Sequence, residues 1–267
     1  MDTLFDAGRT ASAETLALEL DRAPLAYLEG ALANPLLQPR LVLRILKQNR
    51  SVTGPLIVRI SRNRAWLKPY EVKTAIVLHP RTPRVVAMNL VQFLWWRDLA
   101  RVADHTALAP PLRRAAERFL SVRLQELATG EKIALARIAT RGVIGVLRRQ
   151  NDPMVIRALL QNPRLLEEDA LAIALARGTP PPVLQALAED ARFSLRPAVQ
   201  KALVHNPETP PAAALRLVQH LSPRALKDVA HAPHVPALVK VAALRLIEAR
   251  THPEGVTPCT ARFELNN

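Results

Sequence analysis

The sequence predicts an all-α protein built as a solenoid of short stacked helices, and three observations carry that expectation. Alanine and leucine dominate a chain of 267 residues that is 49% hydrophobic and only 4% aromatic, a composition that suits closely packed helices better than sheets. The 23 prolines punctuate amphipathic stretches, and the apolar content is too high for a disordered proline-rich tract. The chain also repeats itself. Slid by 127 residues, positions 75–120 lie over 202–247 without a gap.

In that alignment Pro80, Thr82 and Pro83 meet Pro207, Thr209 and Pro210, while Leu90, Val91, Gln92 and Leu94 meet Leu217, Val218, Gln219 and Leu221. Trp66 lies over Phe193, and one residue of slippage brings Asn34-Pro35 onto Asn162-Pro163. Shorter steps run inside each copy: 45 residues from Pro35 to Pro80 and 44 from Pro163 to Pro207. Periods of ~40–47 residues are those of HEAT and armadillo helical repeats. Helices are expected over 70–78, 83–94 and 110–127, within roughly six stacked helix pairs. Proline lacks an N–H and biases the residue before it away from the α conformation, so His79 and Asn206 end helices. Pro83 and Pro210 suit the first turn of the next helix, with Thr82 and Thr209 as N-caps.

The stretch from Leu187 to Leu217, LAEDARFSLRPAVQKALVHNPETPPAAALRL, resembles the leucine-rich repeat variant family within the wider HEAT-like group. Leu187-Ala188, Asp190, Leu195-Arg196, Val199 and the Asn206-Pro207-x-Thr209-Pro210 turn carry the resemblance. It implies a right-handed α-solenoid of HEAT-like, leucine-rich-repeat-variant helical repeats. Some members of that family hold an iron–sulfur cluster in a cysteine-rich segment. Here Cys259 is the only cysteine, so disulfide frameworks and thiolate metal cages are excluded and no cofactor is expected. The organisation expected is an acidic N-terminal segment over 1–22 and a single solenoid domain over 23–250. That domain holds two related copies, about 23–124 and 151–250, joined by a further helical unit, and a tail follows over 251–267.

Charge is distributed unevenly. The formal net charge is +14, yet residues 1–30 hold two basic residues against six acidic ones. Residues 31–125 hold 17 against four, and the remainder 18 against 13. One basic block therefore dominates, and such a block attracts a polyanion or an acidic protein. No stretch offers the ~18 uninterrupted apolar residues of a membrane span, and the acidic start lacks the pattern of a signal peptide. A cytoplasmic monomer with no membrane contact is expected.

Motifs of catalysis are scarce. His231-Ala-Pro-His234, with His220 upstream, has a spacing that a metal could use, but no nearby carboxylate or thiolate completes a site, so no metal is expected. Cys259 sits in a stretch without helical pattern and without a visible base. Glu167-Glu168-Asp169 follows Asn162-Pro163, where carboxylates favour a helix start. With eight glycines in the whole chain, no phosphate-cradling loop is apparent.

The two copies differ at a few places. Trp95 and Trp96, followed by Arg97, lie over Ser222, Pro223 and Arg224. Ser-Pro is a good helix start and Trp is a poor cap, so packing alone does not call for two tryptophans. They are expected either to fill a groove or to form a platform for a partner. Arg59, Arg62, Arg64, Lys68, Lys73, Arg81 and Arg84 lie over Ala186, Glu189, Ala191, Leu195, Gln200, Glu208 and Pro211. The fold accepts neutral or acidic residues at each of these places, which frees the cations for binding. The expected function is therefore a non-enzymatic scaffold whose first half binds an acidic macromolecule. Its partner-binding residues are these seven cations with Trp95, Trp96 and Arg97. Protein is the first choice of partner and nucleic acid the second. The enzyme alternative is a HEAT-like DNA glycosylase acting on alkylated bases, suggested by Trp95, Trp96 and Asp98.

Overall fold

The computed structural model describes residues 2–251; Cys259 and the chain around it lie outside the described residues. Among those residues there are eighteen α-helices and no strand. The first nine are α1 (Asp2–Thr10), α2 (Ala13–Glu19), α3 (Leu25–Ala31), α4 (Pro39–Gln48), α5 (Gly54–Arg62), α6 (Tyr70–Leu78), α7 (Arg84–Val91), α8 (Trp96–Asp104) and α9 (Pro110–Arg123). The rest are α10 (Thr129–Ile138), α11 (Arg141–Leu147), α12 (Pro153–Leu160), α13 (Glu167–Leu175), α14 (Pro181–Glu189), α15 (Pro197–His205), α16 (Pro211–Val218), α17 (Pro223–His231) and α18 (Ala237–Thr251). Two compact units divide them. The first holds α1–α9 and residues 138–143, the second holds residues 129–137 and α12–α18.

Within each unit a helix touches its successor or the helix two places on. In the first, α4 lies beside α6, α6 beside α7 and α8, and α9 against α7 and α8. In the second, α13 lies beside α15, α15 beside α16 and α17, and α18 against α16 and α17. The slide of 127 residues maps each contact of the first set onto one of the second. This neighbour-to-neighbour packing fits a solenoid. Its cores are leucine, valine, isoleucine and alanine from the facing stripes of successive helices, such as Val72, Ile76, Leu99 and Val102.

The step of 44–45 residues is not a helix pair, as the sequence had suggested. Three helices lie between Pro35 and Pro80, and three between Pro163 and Pro207. The helices are shorter and more numerous than six pairs would give, because only every third turn carries the Asn-Pro or His-Pro signal.

Proline shapes the helix starts. It occupies the first turn of α4, α5, α9, α12, α14, α15, α16 and α17, where a missing N–H breaks no bond. At α7 and α16 the N-caps are Pro83 and Pro210 themselves, with extended ψ angles of 136° and 132°. This corrects the assignment of Thr82 and Thr209 as N-caps. The Thr82 hydroxyl instead donates back to the Ile76 carbonyl at 2.6 Å, satisfying the end of α6. Thr179 does the same for Ile173 and Ala176.

Buried asparagines tie successive helices together. The side-chain amides of Asn34, Asn49, Asn162 and Asn206 donate to main-chain carbonyls 26–32 residues earlier. Each side-chain oxygen accepts the N–H two residues ahead. One buried side chain thus shapes its own turn and satisfies the preceding layer, so these polar groups do not remain unpaired in the core. Arginine supplies a second tie. Arg81 donates to the carbonyls of Arg50 and Val52, Arg123 to those of Gln92 and Leu94, Arg192 to those of Asn162 and Leu165, and Arg250 to those of Gln219 and Leu221.

The acidic segment over 1–22 is helical in α1 and α2. Helix α1 meets α3 backbone to backbone: a Cβ on Gly30 would stand 1.9 Å from the Phe5 carbonyl oxygen, and one on Gly8 2.2 Å from that of Tyr27. Asp21 pairs with Arg44 of α4. No helix among the described residues is long and apolar enough to cross a membrane.

Candidate functional site

Helices α6 and α8 of the first unit start side by side, and their first residues form an aromatic corner. Trp95 caps α8 in extended conformation and its carbonyl accepts the Leu99 N–H at 2.9 Å. Its side chain remains 66% exposed. One face of the indole lies on Tyr70, with centroids 4.2 Å apart and planes 13° from parallel. The Tyr70 hydroxyl accepts the Trp95 main-chain N–H at 2.9 Å and donates to Asp98 Oδ2 at 2.6 Å. Asp98 Oδ1 accepts from Arg101 at 3.0 Å. Burial, and then the bond to Asp98, push the Tyr70 phenol above its ordinary pKa. It therefore stays protonated at neutral pH and remains a donor.

The two tryptophans go different ways. Trp96 is 9% exposed and belongs to the core, with the Arg97 guanidinium 5.3 Å above its ring. Among the described residues, Trp95 and the neighbouring Phe93, 57% exposed, are the exposed rings of this segment. This removes Trp96 from the surface set.

The expected cations spread over several elements. Arg59 and Arg62 lie on α5, Arg64 and Lys68 in the turn after it, Lys73 on α6, Arg84 at the start of α7 and Arg97 on α8. All are exposed except Lys73, which is half-buried. None of these seven makes an ion pair among the described residues. Arg81 differs, because its guanidinium already serves the carbonyls of Arg50 and Val52 at 2.7 and 2.8 Å. Beside it a cleft of about 710 Å³ is lined by Lys47, Arg50, His79, Arg81 and Arg101 among others. Burial, then the charge of Arg81, hold His79 below its ordinary pKa, so it adds no proton charge there at neutral pH. Arg101 joins cleft and corner, since it lines the first and pairs with Asp98 of the second.

Tyr70, Lys47, Arg50 and Arg101 were missed from the sequence. For all but Arg50 the signal was present in the internal alignment: Tyr70 lies over Pro197, Lys47 over Ala174 and Arg101 over Asp228. In the second unit the corner is a hollow of about 400 Å³, lined by Pro197, Leu221, Ser222, Ala225 and the paired Lys201 and Asp228. Ser222 caps α17 by accepting the Ala225 N–H at 3.3 Å. The counterpart of the basic cleft, about 560 Å³, carries Arg177, His205, Glu208 and His234. His205 Nδ1 and His234 Nε2 stand 3.4 Å apart. No group of three metal-binding side chains occurs among the described residues. Glu167, Glu168 and Asp169 form the first turn of α13, where Asp169 is buried, accepts the Leu166 N–H and pairs with Arg148.

No family model, curated protein or solved structure matches this chain.

Proposed function

We propose that the protein is a non-enzymatic scaffold, a right-handed solenoid of HEAT-like, leucine-rich-repeat-variant type. It works as a cytoplasmic monomer whose first unit binds an acidic macromolecule. The observation that carries this reading is the set Arg59, Arg62, Arg64, Lys68, Lys73 and Arg84, which lacks ion-pair partners among the described residues. The equivalent places in the second unit are neutral or acidic. Stacking of helices does not require these charges, and six like charges on one unit raise the local concentration of a polyanion. The glycosylase reading is less favoured, since Asp98 is engaged by Tyr70 and Arg101 and Trp96 is buried.

Binding to immobilised polyanions under a salt gradient tests the proposal. If ~5 of these cations meet phosphates, log K falls against log salt with a slope of about −3.5 to −4.5. Reversing Arg59, Arg62 and Arg64 to Glu should weaken binding, while reversing Arg216 and Arg245 should matter far less. Equal losses from both sets would remove the basis of the reading.

A further inference from the structure

We propose that the acidic partner is a single-stranded nucleic acid and that Trp95 seats one of its bases; this rests on the basic-unit reading above. Tyr70 covers one face of the indole, nearly parallel at 4.2 Å, and the ring is still 66% exposed. The open face of a flat aromatic, already stacked from behind, fits another flat π-system. Every nucleobase has such a face, and base–aromatic stacking does not depend on sequence. A duplex keeps those faces stacked inside itself, so the fit is to a strand whose bases are free. An acidic peptide brings carboxylates to the cations, but it offers the indole a planar partner only where it also carries an aromatic residue, whereas every nucleotide carries one.

The corner is built in advance for such a guest. The Tyr70 hydroxyl is fixed at both sides by the Trp95 N–H and by Asp98, and Tyr70 in turn carries the indole. Little side-chain freedom is left to lose on binding, which favours affinity. Of the two carboxylates that start these helices, Asp98 is engaged by Arg101 and Tyr70, while Glu71, next to Tyr70 on α6, is exposed. Cations lie close to the stack in sequence: Lys68 is two residues before Tyr70, Lys73 is on the same helix, and Arg97 is two residues after Trp95. A strand lying over the corner would place phosphates at these cations and one base on the indole. The second unit offers no such seat, having a hollow, a serine and an internal ion pair at the same register.

Fluorescence anisotropy of a labelled oligodeoxythymidine of about 15 nucleotides tests the proposal. Its competitors are an abasic strand of equal length, the corresponding duplex and polyglutamate. The wild-type chain should prefer oligodeoxythymidine to all three. Trp95→Ser copies Ser222, a cap this fold already uses, and should leave the melting temperature nearly unchanged. It should weaken oligodeoxythymidine binding roughly ten- to a hundredfold and leave the abasic strand unaffected. Trp95→Phe should restore part of the loss. If the abasic strand or polyglutamate binds the wild type as tightly as oligodeoxythymidine, or if Trp95→Ser and Trp95→Phe bind it unchanged, the base seat is overturned and the basic-unit reading stands. If no polyanion binds the wild type even at low salt, the basic-unit reading fails and the seat with it.

Discussion

The α6–α8 corner of the first unit and the α15–α17 corner of the second share one register and differ in almost everything that fills them. In the second, Ser222 caps a helix, Pro223 follows, and about 400 Å³ stays hollow above Pro197 and Ala225. In the first, Trp95 replaces the serine and Tyr70 the proline, and the two rings stack on each other. Both solutions start a helix. Ser222 does it with its own hydroxyl, whereas Trp95 has no capping side chain and its N–H is held by Tyr70. The fold therefore does not need the aromatic stack, and its presence in one unit alone separates what the repeat requires from what this copy has added.

The sharpest way to break that comparison is to remove the rings one at a time. Trp96→Ala empties a buried site, for which truncation costs ~3–5 kcal/mol, and denaturant unfolding should show a loss of that size in the first unit. Trp95→Ala, at an exposed ring, should cost no more than ~1 kcal/mol. Exchanging both, Trp95→Ser with Trp96→Pro, should destabilise about as much as Trp96→Ala, because Pro223 is exposed and fills no equivalent core. Equal losses from the two single variants would mean that the exposed indole is structural after all.

The next test concerns what the units share. Asn49 and Asn206 each donate to two main-chain carbonyls of the preceding layer and accept one N–H of their own turn. Replacing either by Ala leaves those carbonyls buried without the amide, at about 2–3 kcal/mol. Similar losses in both units, read from denaturation midpoints, would show that the repeat holds energetically. A large loss in one alone would confine the ladder to that unit.

Much of this architecture was legible in the sequence for a plain reason. Proline marks helix boundaries, so the expected 70–78 coincides with α6, and the expected 83–94 and 110–127 start within a residue of α7 and α9. The repeat unit was misread because only one turn in three carries the Asn-Pro or His-Pro signal, and turns such as Asp104 to Ala109 carry another pattern. The direction of the threonine bonds was also hidden. A Thr beside a proline can bond forward as a cap or backward to a carbonyl, and only the packed turn decides that Thr82 goes back. For the site, two adjacent tryptophans look alike in sequence until the helices pack, which buries Trp96 and leaves Trp95 outside. Tyr70 lies 25 residues before Trp95 and entered the site only when α6 and α8 were neighbours.

Tyr70→Phe sharpens the corner itself. It keeps the stacking ring and removes the hydroxyl that binds the Trp95 N–H and Asp98. Two bonds on a half-buried surface are lost, one of them to a charged acceptor, for about 1–2 kcal/mol. The expected outcome is a modest fall in stability with the Trp95 emission still that of an exposed but less ordered indole. No change in either would mean that the hydroxyl chain does not hold the ring.

The smallest effect expected is an acid response that belongs to the second unit's cleft. His205 is the counterpart of Leu78, and its Nε2 is buried without a hydrogen-bond partner. Burial first, then the neighbouring His234 and Lys201, hold its pKa below the ordinary 6.5. The unfolded chain therefore takes up the proton more readily than the folded one. Stability from this group is complete above about pH 6.5, falls as the pH drops through that value, and levels once the folded imidazole is also protonated. His205→Leu, which copies the first unit, abolishes that part of the slope. Melting curves between about pH 7 and pH 5 should show a shallower decline for the variant than for the parent. His79→Asn, which copies Asn206, should do the same for the first unit, where burial and Arg81 hold that imidazole neutral. If the parent and both variants decline in parallel, the acid response arises from the carboxylates of the ion pairs and neither histidine contributes.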